Sequence, residues 1–285
     1  MKNISRNIKV FGLSLFAATV SITFTSCDPD ETQTVVNFTN LVWEDDFDVP
    51  GAPDPNTWNI VEGDGTAQGI PGWGNNELQY YTNRPENIIV EDGMLKITAL
   101  REDFQGSAYT SARINTAGNV QQAYGRFEAR IKLPWGQGLW PAFWMLGTNS
   151  NTWPQRGEID IMENRGDEPT IVKGSVHGPG YSGGESIGKD YELTNGRYDE
   201  EFHIFGVEWG PNYINYYVDD ALYLTLTPAD IEEETDGAGE WVFNDNPFYL
   251  ILNVAVGGSF SGNPNANTVF PQTMYVDWVR VYAPN

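Results

Sequence analysis

The sequence predicts an all-β sandwich or barrel, and three observations carry that prediction. Short strand-like runs are separated by clusters of Gly, Pro, Asn and Asp: Leu95 to Leu100, Tyr124 to Leu133, Phe202 to Trp209, Ile214 to Val218, Leu222 to Leu226, Phe248 to Val256 and Met274 to Tyr282. Alternation is explicit where Phe127, Ala129, Ile131 and Leu133 interleave with Glu128, Arg130 and Lys132, the period of a strand with one buried face. No segment carries a long helical period, and only Pro228 to Glu234 suits a short turn of helix.

At 285 residues the chain lies within the size that all-β folds reach as one unit, and it has neither an internal repeat nor a second composition regime. Residues 1–26 differ. Lys2, Arg6 and Lys9 precede an apolar run from Val10 to Phe24, followed by Thr25-Ser26-Cys27. About 15 apolar residues fall short of the roughly 20 that a membrane-spanning helix needs, so the segment reads as an export signal. It resembles a bacterial lipoprotein signal with Cys27, the chain's one cysteine, as the lipidated residue; a plain secretory signal cut nearby is the alternative. Residues 27–40, acidic and polar after Cys27, read as a tether. Thirteen such residues reach roughly 43–47 Å at full extension. Residues 41–285 are then the folded domain, and the expected location is exported, lipid-anchored to the bacterial outer membrane or cell surface.

The formal net charge is -23, and removal of residues 1–26 takes away three positive charges and no negative ones, giving -26. Nucleic acid, anionic membrane surfaces and sulfated polysaccharides are repelled by such a chain, whereas a neutral carbohydrate is not. No nucleic-acid partner is expected, membrane contact is expected only through the lipid, and the protein is expected to be a monomer.

The most informative segment is Gly157-Glu158-Ile159-Asp160-Ile161-Met162-Glu163-Asn164. On a strand Glu158 and Asp160 share one face and Ile159 and Ile161 the other. Strict alternation turns Glu163 to the apolar face, where an unpaired carboxylate is costly. A bulge at Ile161-Met162 resolves the conflict by restoring Glu163 to the face of Glu158 and Asp160. Two glutamates flanking an aspartate on one cleft face are the equipment for double-displacement glycoside hydrolysis. Aromatics form 13% of the chain, with ten tryptophans. Trp73, Trp135, Trp140, Trp144 and Trp153 stand near Gly, Pro or Asn in loop-like contexts, where flat rings suit the apolar faces of sugars. Core packing is the competing reading for any one of them.

Glu158-Ile159-Asp160-Ile161-Met162-Glu163 resembles the catalytic signature of glycoside hydrolase family 16. Tyr124 to Arg130, Gly138 to Leu146, Gly74 to Thr82 and Val276 to Tyr282 resemble its laminarinase branch, in the expected order, so the resemblance covers roughly residues 41 to 283. It implies a β-jelly roll of two curved antiparallel sheets with the catalytic strand on the concave face. It also implies Glu158 as nucleophile, Glu163 as general acid and then base, and Asp160 as the residue that tunes the pair. A carboxyl separation of about 5–5.5 Å and retention of anomeric configuration follow from those roles. The extra Met162 points to enzymes of β-1,3-glucan, an endo-acting laminarinase above all. Mixed-linkage β-1,3-1,4-glucan and agarose-type galactan remain alternatives with the same chemistry, and a non-catalytic glucan-binding lipoprotein is the rival from another class.

The resemblance further implies that Trp140, Trp144 and Trp153 wall the glycone subsites, that Asn75 and Arg113 bond sugar hydroxyls, and that His177 lies beside the nucleophile or at the first aglycone subsite. Arg113 as an ion-pair partner and His177 as a structural residue are the competing readings. No cofactor is implied for catalysis. A structural calcium on the convex face is implied, held by Asp46, Gly93 and Asp277, oxygen donors of the kind calcium takes. No Cys and His spacing suggests zinc, and the Gly-rich stretch Gly178 to Gly188 follows no βα pattern that would cradle a phosphate.

Overall fold

The computed structural model describes residues 38–244 and 246–284. The expected signal with Cys27, and the tether up to residue 37, lie outside the described residues. Strands build two sheets stacked as a β-jelly roll. The first runs Ala221–Leu226, Tyr213–Val218, His203–Gly210, Gly125–Lys132, Gln272–Ala283, Met94–Phe104, Ser107–Ser111, Gln79–Tyr81. Asn40–Asp45 joins it beside Gln272–Ala283, and Ile88–Glu91 beside Met94–Phe104. The second runs Ile187–Glu192, Ile171–His177, Glu158–Glu163, Leu139–Gly147, Phe248–Val256, Arg113–Asn115, Asn59–Val61, with Gln121–Gln122 beside Phe248–Val256. The one α-helix among the described residues is Pro228–Glu234, where Thr227 and Asp230 form a capping box.

One expectation needs correction. Gln79–Tyr81 pairs with Ser107–Ser111 in parallel, so the first sheet is not wholly antiparallel. Between them the chain makes the two strands Ile88–Glu91 and Met94–Phe104, a connection long enough to return in the same direction. The seven expected strands are all present: four are longer by one to five residues, Phe248–Val256 is as expected, His203–Gly210 is shifted by one residue, and Gly125–Lys132 is one residue shorter at each end. Leu139–Gly147 was not legible as one of them, because it is buried along nearly its whole length and contains Pro141. The proline is tolerated because the neighbour on one side has already ended. Ala142 opposite Glu163 is the last ladder pair with Glu158–Glu163; beyond it Asn164 donates its N–H to the Pro141 carbonyl at 3.3 Å, and the N–H that proline lacks falls where that ladder ends.

The core lies between the sheets. Phe127, Ala129, Ile131, Phe205, Val207 and Val279 of the first sheet belong to one buried cluster with Phe143, Met145, Ile159, Val176, Leu250, Leu252 and Val254 of the second. Each fully buried large side chain contributes about 1.5–3 kcal/mol relative to exposure.

The expected bulge is present. Trp144 faces Asp160 and Phe143 faces Met162, leaving Ile161 without an opposite residue on Leu139–Gly147. On the other side Asp160 faces Ser175 and Glu163 faces Lys173, so Gly174 alone stands across from Ile161 and Met162. Both of these side chains enter the core, at 2% and 0% exposure. Gly174 makes this geometry feasible, since a Cβ there would overlap the Tyr216 ring and the Tyr223 hydroxyl that pack against it. With two adjacent residues turned inward, Glu163 returns to the outer face.

The three residues expected to hold calcium lie around a junction in the first sheet. Asn40–Asp45 pairs with Gln272–Ala283 as far as Val279, and Met94–Phe104 takes over the same strand from Val276. Asp46, Gly93 and Asp277 therefore flank the changeover. Asp277 Oδ2 accepts from Arg130 at 2.6 Å and Asp46 Oδ1 from Arg280 at 3.3 Å.

The bulge makes a specific demand on stability. Ile161→Ala and Met162→Ala are each expected to cost about 2–5 kcal/mol in denaturant unfolding, the range for truncating a buried aliphatic side chain. In a regular strand one of two adjacent residues faces out, and its truncation stays within about 0.5 kcal/mol. A silent result at either position would therefore rule out the inward bulge.

Candidate active site

The sheet register sets three carboxylates on one face and gives each a polar partner directly across on Ile171–His177. Glu158 faces His177, Asp160 faces Ser175, and Glu163 faces Lys173. Depth differs along the row. Glu158 keeps 15% of its side chain exposed, whereas Asp160 keeps 4%. The outer glutamates are thus open to a bound molecule and the aspartate works from beneath.

Hydrogen bonds fix the row. Asp160 Oδ2 accepts from Ser175 Oγ at 2.9 Å and lies 3.0 Å from His177 Nε2, and Glu158 Oε1 lies 3.6 Å from the same nitrogen. Trp153 Nε1 donates to Glu158 Oε2 and Trp140 Nε1 to Glu163 Oε1, both at 2.9 Å. Tyr216 reaches through from the opposite sheet to donate to the Ser175 carbonyl at 2.8 Å. On the far side of the ring, His177 Nδ1 accepts the backbone N–H of Gly183 at 3.0 Å.

Burial pushes the pKa values of Glu158 and Glu163 well above the usual carboxylate range, and the charge of Asp160 pushes both further. The indole donors oppose the rise, Trp153 at Glu158 and Trp140 at Glu163, as does Lys173 at Glu163, and a protonated His177 would oppose it at both. Two such coupled acids hold one proton between them near neutrality, the state an acid and a nucleophile require together. At His177 burial disfavours charge, whereas Asp160, Glu158 and Glu163 favour it and pull the pKa upward. The Gly183 N–H acts against this pull, because a doubly protonated ring has no lone pair at Nδ1 to accept it.

The expected binding residues divide into three groups. Trp140 and Trp144 lie on the strand Leu139–Gly147 and not in loops, which corrects the expectation for them. Trp140 packs on Phe260, and the Arg165 guanidinium lies 4.2 Å from the Phe260 ring. Trp153 is 47% exposed and its ring lies 5.9 Å from that of His177. Trp73 is buried under Tyr81, and Trp135 is exposed with Arg197 over its ring. Arg113 makes no ion pair among the described residues. Its guanidinium is held between the rings of Trp73 and Trp144, 4.8 Å from each, and its Nε is buried without a partner. Asn75 is exposed and donates to Glu77 Oε1 at 3.2 Å.

Sequence reasoning missed a polar chain behind these rings. Glu77, whose pKa burial raises, accepts from Gln79, Asn75 and Tyr81. Asn253 donates to Tyr81 and accepts Trp144 Nε1 at 2.7 Å. Asn253 carried a signal, a lone amide in the apolar run Phe248–Val256. Ser175 and Lys173 carried one too, two and four residues before His177 and so on its face. Phe260 carried none.

Glu158, Asp160 and His177 bring potential ligand atoms within 4.8 Å of one another, the one such set among the described residues. The nitrogen offered is Nε2, already engaged with Asp160, so the set is better satisfied as a hydrogen-bonded row than as a metal centre. Hollows of about 610 and 480 Å³ around Arg101 and Glu102 share no residue with this face.

Comparison with known proteins agrees with the geometry. The β-glucanase of Rhodothermus marinus is 43% identical over 250 residues, spanning 85% of this chain and 84% of that one. Glucan endo-1,3-beta-glucosidase A1 of Niallia circulans is 39% identical over 258 residues, spanning 85% of this chain but 38% of the longer relative. The laminarinase catalytic domain from Thermotoga maritima superposes with a TM-score of 0.80 at 50% identity, over 86% of this chain and 98% of that domain. The model of glycosyl hydrolases family 16 matches residues 75–280, which contain the whole carboxylate row and its tryptophans, and the chain belongs to that family.

Proposed function

We propose that this protein is a retaining, endo-acting hydrolase of β-1,3-glucosidic bonds in laminarin-type glucans. The observation that carries the reading is the row Glu158, Asp160, Glu163 on one face, capped by indole donors. Similarity to laminarinases and endo-1,3-beta-glucanases supports the choice of sugar. Glu158 attacks the anomeric carbon as the glycosidic C–O bond breaks, and Glu163 gives its proton to the departing oxygen. A water then loses a proton to Glu163 and attacks the same carbon, releasing Glu158 with configuration retained. Asp160 touches neither oxygen. Its charge keeps the proton on the glutamates until it is needed. Trp140, Trp144 and Trp153 offer ring faces to glucose units, while Asn75 and Arg113 offer donors to hydroxyls.

Calcium is proposed as a structural ion at the junction of Asp46, Gly93 and Asp277. Two carboxylates and a backbone carbonyl are hard oxygen donors, and each arginine engages only one oxygen of its aspartate, Asp46 Oδ1 and Asp277 Oδ2. The ion takes no part in the chemistry.

Three outcomes are expected. With laminarin, Glu158→Gln binds but does not turn over, and Glu163→Gln loses about 10²–10⁴-fold in rate; proton NMR of early wild-type products shows the β-anomer. Laminarin breakdown by Glu158→Gln, or an α-anomer first, would refute the assignment. Asp160→Asn removes the charge that raises both glutamates, so the alkaline limb of kcat/KM, where the last proton leaves, moves down by about one unit or more. An unmoved or rising limb is incompatible with that role. Calcium at about one hundred times its Kd stabilises the protein by about 2.7 kcal/mol. EDTA lowers Tm accordingly without changing the rate at 25 °C, and a Tm indifferent to calcium rules the site out.

A further inference from the structure

His177 is the one group of the row whose protonation the geometry sets by itself. Its ring has two neighbours of opposite demand. The Gly183 N–H points at Nδ1 from 3.0 Å and can only donate, so Nδ1 must present its lone pair. Asp160 Oδ2, already accepting from Ser175, stands 3.0 Å from Nε2 and calls for a donor there. One species satisfies both, the neutral ring with its hydrogen on Nε2. Imidazolium would set two N–H groups head to head at Gly183, and the other tautomer would do so while leaving Nε2 facing a carboxylate without a hydrogen. The ring has little freedom to turn away, being 11% exposed with the Trp153 ring beside it.

We propose that the backbone N–H of Gly183 locks His177 as the neutral, Nε2-protonated tautomer, and that this lock keeps the working proton on the Glu158 and Glu163 pair. The inference rests on the catalytic reading of those glutamates. The charges that act most strongly on the ring are those of Asp160, Glu158 and Glu163, all from the neighbouring strand. A positive ring among them would cancel the charge of Asp160, whose repulsion raises both glutamates. The pair would then lose its proton at a lower pH. A neutral ring gives Asp160 a hydrogen bond and no countercharge. His177 is thus a positioning residue that holds Asp160 in place while leaving its field intact.

The segment that supplies the lock has the geometry for it. Ser182 is extended, Gly183 takes φ +60°, and the turn Gly183–Glu185 follows. Gly178 and Tyr181 bridge by paired backbone hydrogen bonds of 2.8 and 3.0 Å, which brings residue 183 back over the ring.

The direct test is nitrogen-15 NMR of the imidazole rings in the free protein, without substrate. The chain has two histidines, so loss of the His203 signals in His203→Gln identifies His177. Between about pH 5.5 and 8.5, where an unperturbed histidine titrates, His177 is expected to keep an unprotonated Nδ1 and a protonated Nε2 throughout. A second proton at neutral pH, or hydrogen on Nδ1, overturns the lock. This readout does not depend on activity, so it separates failure of the lock from failure of the hydrolase assignment. A pH profile gives the second measurement. His177→Gln replaces the ring by an uncharged group with one acceptor and one donor end, and its alkaline limb of kcat/KM is expected within about 0.3 unit of wild type, whatever the loss in rate. A rise of about one unit is the response to losing a positive charge beside carboxylates, and it too would overturn the proposal.

Discussion

The active face depends on one local constraint: Ile161 and Met162, adjacent in sequence, must both point into the core. Their burial, worth about 1.5–3 kcal/mol for each side chain, forces the bulge. The bulge in turn forces Glu163 outward, where its desolvation is incomplete. Gly174 is the other half of the constraint, because the space across from two inward residues is already taken by Tyr216 and Tyr223 from the opposite sheet. From there the register supplies the rest. Once Asp160 faces Ser175 and Glu163 faces Lys173, the position of His177 against Glu158 follows from the same pairing, and the separate pairing with Leu139–Gly147 sets Trp144 against Asp160. Packing on the core side thus determines chemistry on the cleft side.

Electrostatics explains why the partners of the carboxylates are mostly uncharged. Three acids on one strand face repel one another, and arginines set against them would pull their pKa values down and release the proton. Elsewhere in the molecule arginines are set directly against acids. Arg126 engages Glu128, Glu208 and Asp220, and Arg130 engages Asp277. In the row, the donors at hydrogen-bond distance are two indoles, a hydroxyl and an imidazole. Such groups satisfy the lone pairs of an anion without neutralising it, so the carboxylates stay ordered while their pKa values remain high. Arg113, a cation within the aromatic wall, is held by ring faces instead of by an acid.

Much of this was legible in the sequence, for reasons that differ by element. Strands with one wet face were read from alternation, as at Gly125–Lys132. The bulge was legible because a carboxylate cannot go where regular alternation would send Glu163. What stayed hidden depended on distant parts of the chain. Leu139–Gly147, wet on too few positions to alternate, gave no period, and Pro141 argued against a strand until its neighbour's early end was known. The parallel pairing of Gln79–Tyr81 with Ser107–Ser111 left no local trace. Asn253 bonds Tyr81 from 172 residues away, and Gly183 meets His177 through a turn whose φ values no pattern announces.

The tryptophans join binding to proton control. Trp140 and Trp153 spend their N–H groups on Glu163 and Glu158, and Trp144 spends its own on Asn253. Each indole edge is therefore committed to the protein, and only the ring faces remain for a ligand. Faces recognise the apolar C–H surface of a sugar and carry little directional preference, so they suit successive glucose units along a chain. Orientation must then come from donors such as Asn75 and Arg113 behind the wall. Because a ring that tilts to accept a sugar also moves its N–H relative to a glutamate, occupancy of the cleft and the pKa values of Glu158 and Glu163 are physically coupled. An empty cleft leaves the carboxylates at one balance, and a sugar pressed on Trp140 or Trp153 sets another by displacing water and fixing those hydrogen bonds. The pKa values that govern kcat therefore belong to the occupied cleft, and those that govern kcat/KM to the open one.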